Sequence, residues 1–197
     1  MGRLDSSASQ SYVRAWFRKA EVALFAWILA SLCMPSALGA QQADPWTPIR
    51  FLEGTWRGTS EGEPGKGAVE RSYTFVLKQR FIHEKNVSTY PAQGNKPSEV
   101  HEHWSFFSHD RKRDVLVLRQ FHQEGFVNEF VMTKSASTPT RLVFESETLE
   151  NLGRWRARET YEVISNDEFI ETFEIGAPGK PLHVYSKNHF KRVTRGD

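Results

Sequence analysis

Ten short segments rich in β-forming residues follow one another from residue 50 to residue 193, and this repetition constrains the fold more than any other feature. The segments are separated by turns rich in glycine, proline, asparagine and aspartate, such as those at 61–67 and 176–181. No window in this region has the sustained apolar spacing of a helix. The segments cover residues 50–60, 67–78, 80–90, 99–108, 114–122, 125–133, 141–150, 154–163, 167–175 and 182–193.

Short connections between successive strands predict antiparallel neighbours. A meander of this length exposes two sheet edges unless it closes on itself, and closure into a barrel removes both edges. The sequence therefore predicts an all-β fold with a single antiparallel up-and-down β-barrel of about ten strands, spanning residues 49–197.

The first forty residues have the pattern of a secretory signal peptide. Arg14, Arg18 and Lys19 precede an apolar run at 22–34, and small residues follow it up to Ala40. The run is shorter than the ~20 apolar residues that a transmembrane helix needs. We expect a hydrophobic signal helix at 1–40, a linker at 41–48 and a secreted or periplasmic protein with no stable membrane span after cleavage. An uncleaved N-terminal anchor is the alternative.

Charge and cysteine content exclude several functions for the part of the chain that follows. Residues 1–40 hold four of the 26 basic side chains and two of the 24 acidic ones, which leaves 22 of each sign. A nucleic-acid-binding domain normally has a net positive surface, so we expect no nucleic-acid partner. Cys33 is the only cysteine and lies in the signal segment. The mature domain is therefore predicted to have no disulfide, thiol nucleophile or cysteine–zinc site.

Several strands carry one charged residue on an otherwise apolar face. Glu102 lies between Val100 and Trp104, and Arg119 lies between Val117 and Phe121. Unpaired charge in a solid core is costly, whereas a partly hydrated barrel interior accepts it. We therefore predict an interior that binds a small apolar or amphipathic ligand, with Arg119 at least half buried and paired with Glu102, Glu159 or Glu171. The predicted ligand-binding residues are Trp56, Tyr73, Glu102, Trp104, Arg119, Trp155, Glu159, Tyr161 and Glu171.

Two alternatives to a ligand-binding interior follow from the same pattern. Register slips at β-bulges would place some of these charges in solvent. The second alternative is a domain with a filled core, no ligand and a structural or interaction role without catalytic activity.

The opening strand resembles that of a known group of barrels. The stretch 51–58, Phe-Leu-Glu-Gly-Thr-Trp-Arg-Gly, and the acidic turn at 61–63 are similar to the start of nitrobindin-type haem-binding β-barrels. These are calycins, related in shape to lipocalins and fatty-acid-binding proteins. Gly54 and Gly58 would let the strand bend, and Trp56 would plug one end of the barrel.

The resemblance implies a haem-binding alternative that acts on nitrogen oxides. Nitrobindin-type proteins bind haem iron through a histidine in the last strand, before a basic pair and a valine. Here Tyr185 lies at that position, eight residues before Val193. His183 and His189 share its predicted strand face, so these three residues are the candidate haem ligands, and tyrosine itself can bind haem iron.

Histidine spacing and catalytic motifs bear on metal binding and catalysis. His101 and His103 lie on one strand face, and His122 or His83 could supply a third metal ligand. Trp104 and Phe106 occupy the opposite face of that strand, so the sequence predicts that the histidine pair points outward and forms no metal site. No nucleophile elbow, P-loop, dinucleotide fingerprint or zincin motif is present, and no catalytic residue is predicted.

Overall fold

The computed structural model describes residues 44–194, and these form a closed antiparallel barrel of ten strands. Each strand pairs with its neighbours in the chain, and β1 pairs with β10 to close the sheet. The all-β barrel predicted from the sequence is confirmed, while the predicted signal helix lies outside the described residues. The strands are β1 (Gly54–Gly62), β2 (Gly67–Val76), β3 (Phe81–Tyr90), β4 (Glu99–Asp110), β5 (Val115–His122), β6 (Val127–Met132), β7 (Arg141–Leu149), β8 (Arg156–Ser165), β9 (Glu168–Gly176) and β10 (His183–Arg192).

The chain enters the barrel through a short 3₁₀ helix, Arg50–Leu52, where the sequence predicted the beginning of the first strand. The turn places Ile49 and Leu52 together in the core, and both are fully buried. Trp46, within the predicted linker, is also buried and packs edge-on against Phe75. The segment before β1 therefore belongs to the packed end of the barrel.

Trp56 lies at the centre of this closed end, in agreement with its predicted role as a plug. Its side chain is fully buried, and its indole Nε1–H donates a hydrogen bond of 2.7 Å to the carbonyl oxygen of Leu52. The guanidinium of Arg192 lies over the indole ring at 4.2 Å and donates to the carbonyl oxygens of Phe51 and Glu53, each at 2.6 Å. This end of the barrel is thus filled by side chains and tied to the last strand.

Gly58 is required where β1 contacts β10. A Cβ atom at this position would overlap the carbonyl oxygen of His189, so any larger residue would push the two closing strands apart. The glycine therefore supports closure of the sheet between its first and last strands.

The inward faces of β8 and β9 match the sequence prediction, but those of β4 and β5 are reversed. Ser105 and Phe107 on β4, and Leu118 and Gln120 on β5, are buried, whereas Trp104 is half exposed. The prediction assigned the more apolar face of each strand to the interior, but on β4 and β5 the outer face carries more large apolar residues than the inner face.

Within residues 44–194, no helix has the length and hydrophobicity that a membrane-spanning helix requires.

Candidate functional site

A cavity of about 680 Å³ occupies the end of the barrel where β1 ends and β10 begins. Its apolar wall includes Leu152, Phe173, Ile175 and Tyr185. Its volume lies within the range of ~300–1,000 Å³ that is typical of small-molecule sites. The barrel therefore has one closed end and one end with room for a small organic molecule.

Arg71 lies at the deep end of this cavity and is almost completely buried. Its guanidinium contacts the carboxylate of Glu171 at 2.7 Å and that of Glu84 at 3.3 Å. It also donates hydrogen bonds to Asn86 Oδ1 at 2.8 Å and to the hydroxyl oxygen of Tyr73 at 3.3 Å. A buried guanidinium with this number of acceptors is tolerated because its donors are largely paired.

Glu159 is the third buried carboxyl group near Arg71, and its hydrogen bonds come from neutral groups. Its two oxygens accept from Gln120 Nε2 at 2.6 Å and from the hydroxyl of Tyr161 at 3.0 Å. Burial raises the pKa of Glu159 to about 8, and the nearby charge of Glu171 adds to this increase. The carboxyl group is therefore mostly protonated at neutral pH and can donate a hydrogen bond.

The other carboxyl groups of the cluster behave differently. Burial opposes ionisation of Glu84, but the charge of Arg71 and the hydrogen bond with His103 outweigh it and lower the pKa of this group. We call Arg71, Glu84, Glu159 and Glu171 the buried charge cluster. The cluster therefore surrounds a single guanidinium with three carboxyl groups, of which Glu159 is protonated.

Three histidines, which we call the histidine triad, lie close together on another part of the cavity wall. His103 on β4 lies directly opposite His122 on β5, and His101 is two residues away on the same face of β4. One potential ligand nitrogen from each ring lies within 4.8 Å of the others. The prediction that His101 and His103 point outward is wrong, because Trp104 and Phe106 occupy the outer face and the imidazoles line the cavity.

Each imidazole of this triad has a polar neighbour. His101 Nδ1 lies 3.0 Å from Glu124 Oε1, and His103 Nε2 lies 3.3 Å from Glu84 Oε1. His122 receives a hydrogen bond of 3.3 Å from Asn128 Nδ2. Burial lowers the pKa of His122 to about 3, with a further decrease from the neighbouring histidines. Its ring is therefore neutral at neutral pH, and the lone pair of Nε2 accepts the hydrogen bond from Asn128.

The nine residues predicted to bind a ligand fall into three groups. Glu159 and Glu171 line the cavity. Trp56, Tyr73 and Tyr161 are fully buried in the core and do not line the cavity, although Tyr73 and Tyr161 contact the buried charge cluster. The remaining four contribute nothing to the cavity wall: Glu102, Trp104, Arg119 and Trp155.

Arg119 corrects the assignment of the inner face of β5. Its side chain lies on the outer face, where it contacts Glu129 on β6 at 2.6 Å and donates to the hydroxyl of Ser108 at 3.0 Å. The predicted pairing with Glu102, Glu159 or Glu171 is wrong. The interior position belongs to Gln120, the next residue, which is bonded to Glu159. Glu102 and Trp104 are exposed on the outer face of β4 for the same reason, and Trp155 lies in the turn before β8 with its side chain more than a third exposed.

The candidate haem ligands in β10 do not meet. His183 contacts Glu63 at 3.0 Å and His189 contacts Glu168 at 2.6 Å, and both imidazoles are about half exposed. Tyr185 lies at the cavity mouth, where burial raises the pKa of its hydroxyl group and so opposes the phenolate that binds iron. Of these three residues Tyr185 lines the cavity, whereas His183 and His189 do not, and haem binding through β10 stays a prediction.

Sequence reasoning missed Arg71 and the histidine triad as parts of the cavity. A signal for Arg71 was present, because Val69, Arg71 and Tyr73 alternate with more polar residues in the same pattern that identified Glu159 and Glu171. The triad had a weaker signal, since the inner face of β4 is more polar than its outer face.

Comparisons with known proteins support the fold. No family model matches the chain, and no curated protein matches it. The barrel is similar to the crystal structure of Rv2717c from M. tuberculosis, with a TM-score of 0.58 and 16% sequence identity. The match covers 77% of this chain and 99% of that one. At this identity the likeness is one of fold alone, a closed antiparallel barrel.

Proposed function

We propose that this protein is an exported binding protein that holds a small amphipathic molecule in its barrel cavity. The observation that carries the proposal is a cavity of about 680 Å³ with an apolar wall and a buried polar end. Specific pockets combine largely apolar walls with a few polar groups that orient the ligand. The signal-like sequence at 1–40 supports export.

The buried charge cluster favours one kind of polar group on the ligand. The guanidinium of Arg71 is already committed to Glu84 and Glu171, and Glu159 is neutral with a proton to donate. A carboxylate on the ligand would be repelled by a cluster in which several carboxyl groups already share a single guanidinium. A hydroxyl, carbonyl or amine group meets no such repulsion. The ligand is therefore an amphipathic molecule with a neutral or cationic polar end.

The apolar part of the ligand would lie against the wall nearer the cavity mouth. Phe173 and Tyr185 pack edge to face there with ring centroids 5.8 Å apart, beside Ile175. A ligand with a short hydrocarbon segment would cover these side chains while its polar end contacts Glu159 or Asn188. Binding then removes apolar surface of both partners from water.

Native mass spectrometry of gently purified protein tests the proposal. We expect the wild-type chain to retain a non-covalent ligand of defined mass. Ile175→Trp should fill the cavity and abolish retention, whereas Ile164→Trp, at an exposed position of β8, should leave it unchanged. Retention that is equal in all three proteins would place the ligand elsewhere and overturn the proposal.

A further inference from the structure

We propose that His101, His103 and His122 bind one divalent transition-metal ion, of which Zn²⁺ is the reference case, in the wall of the cavity. These residues are the histidine triad of the cavity wall. The inference goes beyond the proposed function, because the ion would bind whether or not an organic molecule occupies the cavity.

The placement of the triad follows from strand register. Residues directly opposite each other on antiparallel strands have Cβ atoms about 4.5–5.5 Å apart, so His103 and His122 must be neighbours. The three imidazole centroids are 5.3, 5.7 and 5.8 Å apart. Zinc binds imidazole nitrogen at about 2.0–2.1 Å, so ligand atoms within 4.8 Å need shifts of only ~1 Å to surround an ion. Small side-chain rotations supply such shifts without moving either strand.

An unsatisfied buried atom points independently to a ligand. His103 Nδ1 is buried and has no hydrogen-bond partner among the described residues, while Nε2 of the same ring faces Glu84. An orphaned buried nitrogen is costly, and coordination to a metal ion would satisfy it. The carboxylate on the opposite nitrogen is the arrangement that orients metal-binding histidines in proteins.

His101 has the same arrangement. Its Nδ1 contacts Glu124, which leaves the second ring nitrogen for a metal ion. His122 is held between Asn128 and the ring of Phe126, on which it stacks with centroids 4.4 Å apart. Because the lone pair of His122 Nε2 accepts from Asn128 Nδ2, an ion bound to this ring would replace that hydrogen bond. Each ring is therefore oriented by a neighbour before any ion binds.

The donor set selects the class of ion. Three imidazole nitrogens suit Zn²⁺, Cu²⁺, Ni²⁺ or Co²⁺, whereas Ca²⁺ and Mg²⁺ prefer oxygen ligands. All three histidines line the cavity, so the coordination position that the protein does not fill would face the cavity space. A water molecule, or a donor atom of a bound organic molecule, would complete the coordination there.

The test uses the purified full chain after treatment with a chelator. Titration with Zn²⁺ by calorimetry should show one ion per chain, and Co²⁺ should give the visible absorption of a low-symmetry site. His101→Ala and His122→Ala should each weaken binding at least ~100-fold and remove the Co²⁺ spectrum. The matched controls are His183→Ala and His189→Ala, because these imidazoles also pair with carboxylates but do not line the cavity.

Three results would overturn the inference. One is the absence of binding to wild-type protein. A second is retention of binding in folded His101→Ala. We expect this variant to fold even if His122→Ala does not, because the His101 side chain is a quarter exposed. A third is a Soret band on addition of haem that depends on the triad while Zn²⁺ does not bind, which would assign the histidines to haem. Absence of ion binding to a wild-type chain that still retains an organic ligand would refute this inference and leave the proposed function intact.

Discussion

Arg71 and Glu171 form an ion pair of 2.7 Å across the interior of the barrel, although their strands, β2 and β9, are separated in the sheet by β1 and β10. Both side chains are almost completely buried. Glu84 on β3 contacts the same guanidinium, so one arginine links three strands at the deep end of the cavity. The arrangement gives the cavity its polar end and makes the stability of the fold depend on Arg71.

Replacing Arg71 with methionine should therefore destabilise the fold strongly. The variant leaves Glu84 and Glu171 buried without their cation, and we expect a loss of ~3–5 kcal/mol in the free energy of unfolding, measured with urea. Arg119→Met is the matched control, because Arg119 pairs with Glu129 on the partly exposed outer face. It should cost less than ~1 kcal/mol. Equal losses in the two variants would contradict the interior role of Arg71.

The stability of the protein should decrease as Glu159 loses its proton. The pKa of this group is about 8 in the folded protein and near 4.5 in the unfolded chain. Between these two values the folded state holds an extra proton, so the contribution is fully present below pH 4.5 and is lost as the pH rises to 8. The groups that face Glu159 are Glu171, Arg71, Glu84 and Tyr161.

Urea unfolding of wild type and Glu159→Gln at several pH values checks this dependence. Because glutamine does not titrate, the stability of wild type relative to the variant should fall across this range, by at most ~1.4 kcal/mol per pH unit. Parallel pH profiles would show that Glu159 has the same pKa in both states.

Trp56→Ala should create a large internal cavity in the closed end of the barrel. The variant removes a fully buried indole together with its hydrogen bond to Leu52, and we expect a loss of ~3–5 kcal/mol. Trp104→Ala on the outer face is the control and should cost under ~1.5 kcal/mol, since that side chain is half exposed. Thermal or urea unfolding measures both, and a small loss at Trp56 would mean that the plug contributes little.

Export should remove the N-terminal segment. If residues 1–40 are a cleaved signal, protein recovered from outside the cytoplasm should begin near Gln41 and contain no cysteine. N-terminal sequencing or intact mass determines this directly. An exported chain that still begins at Met1 would support the uncleaved anchor instead.

The sequence predicted the number of strands and their antiparallel order because turn chemistry separates every pair of neighbours. It also placed Glu159 and Glu171 inside, since β8 and β9 have one face that is clearly more apolar than the other. The same rule failed for β4 and β5. Near the cavity the inner face is polar, with His101 and His103 inside and Trp104 outside. A rule that assigns the more apolar face to the interior therefore selects the outer face of these strands.

The sequence could not predict which charged side chains pair with each other, for a different reason. The pairing of Arg119 with Glu129 depends on the register between β5 and β6, and that of Arg71 with Glu171 depends on contact across the closed barrel. A shift of one residue in register exchanges the two faces of a strand. Such contacts follow from the three-dimensional closure of the sheet, which strand patterns alone do not specify.

Calorimetric titration of chelator-treated protein with 1-octanol, octylamine and octanoate tests the central claim most directly, because the three compounds differ only in their polar end. We expect the alcohol and the amine to bind one molecule per chain, octanoate to bind at least ~10-fold more weakly, and Ile175→Trp to abolish binding while Ile164→Trp preserves it. Failure of all three compounds to bind, or binding that Ile175→Trp does not change, would contradict the assignment of the cavity as the ligand site.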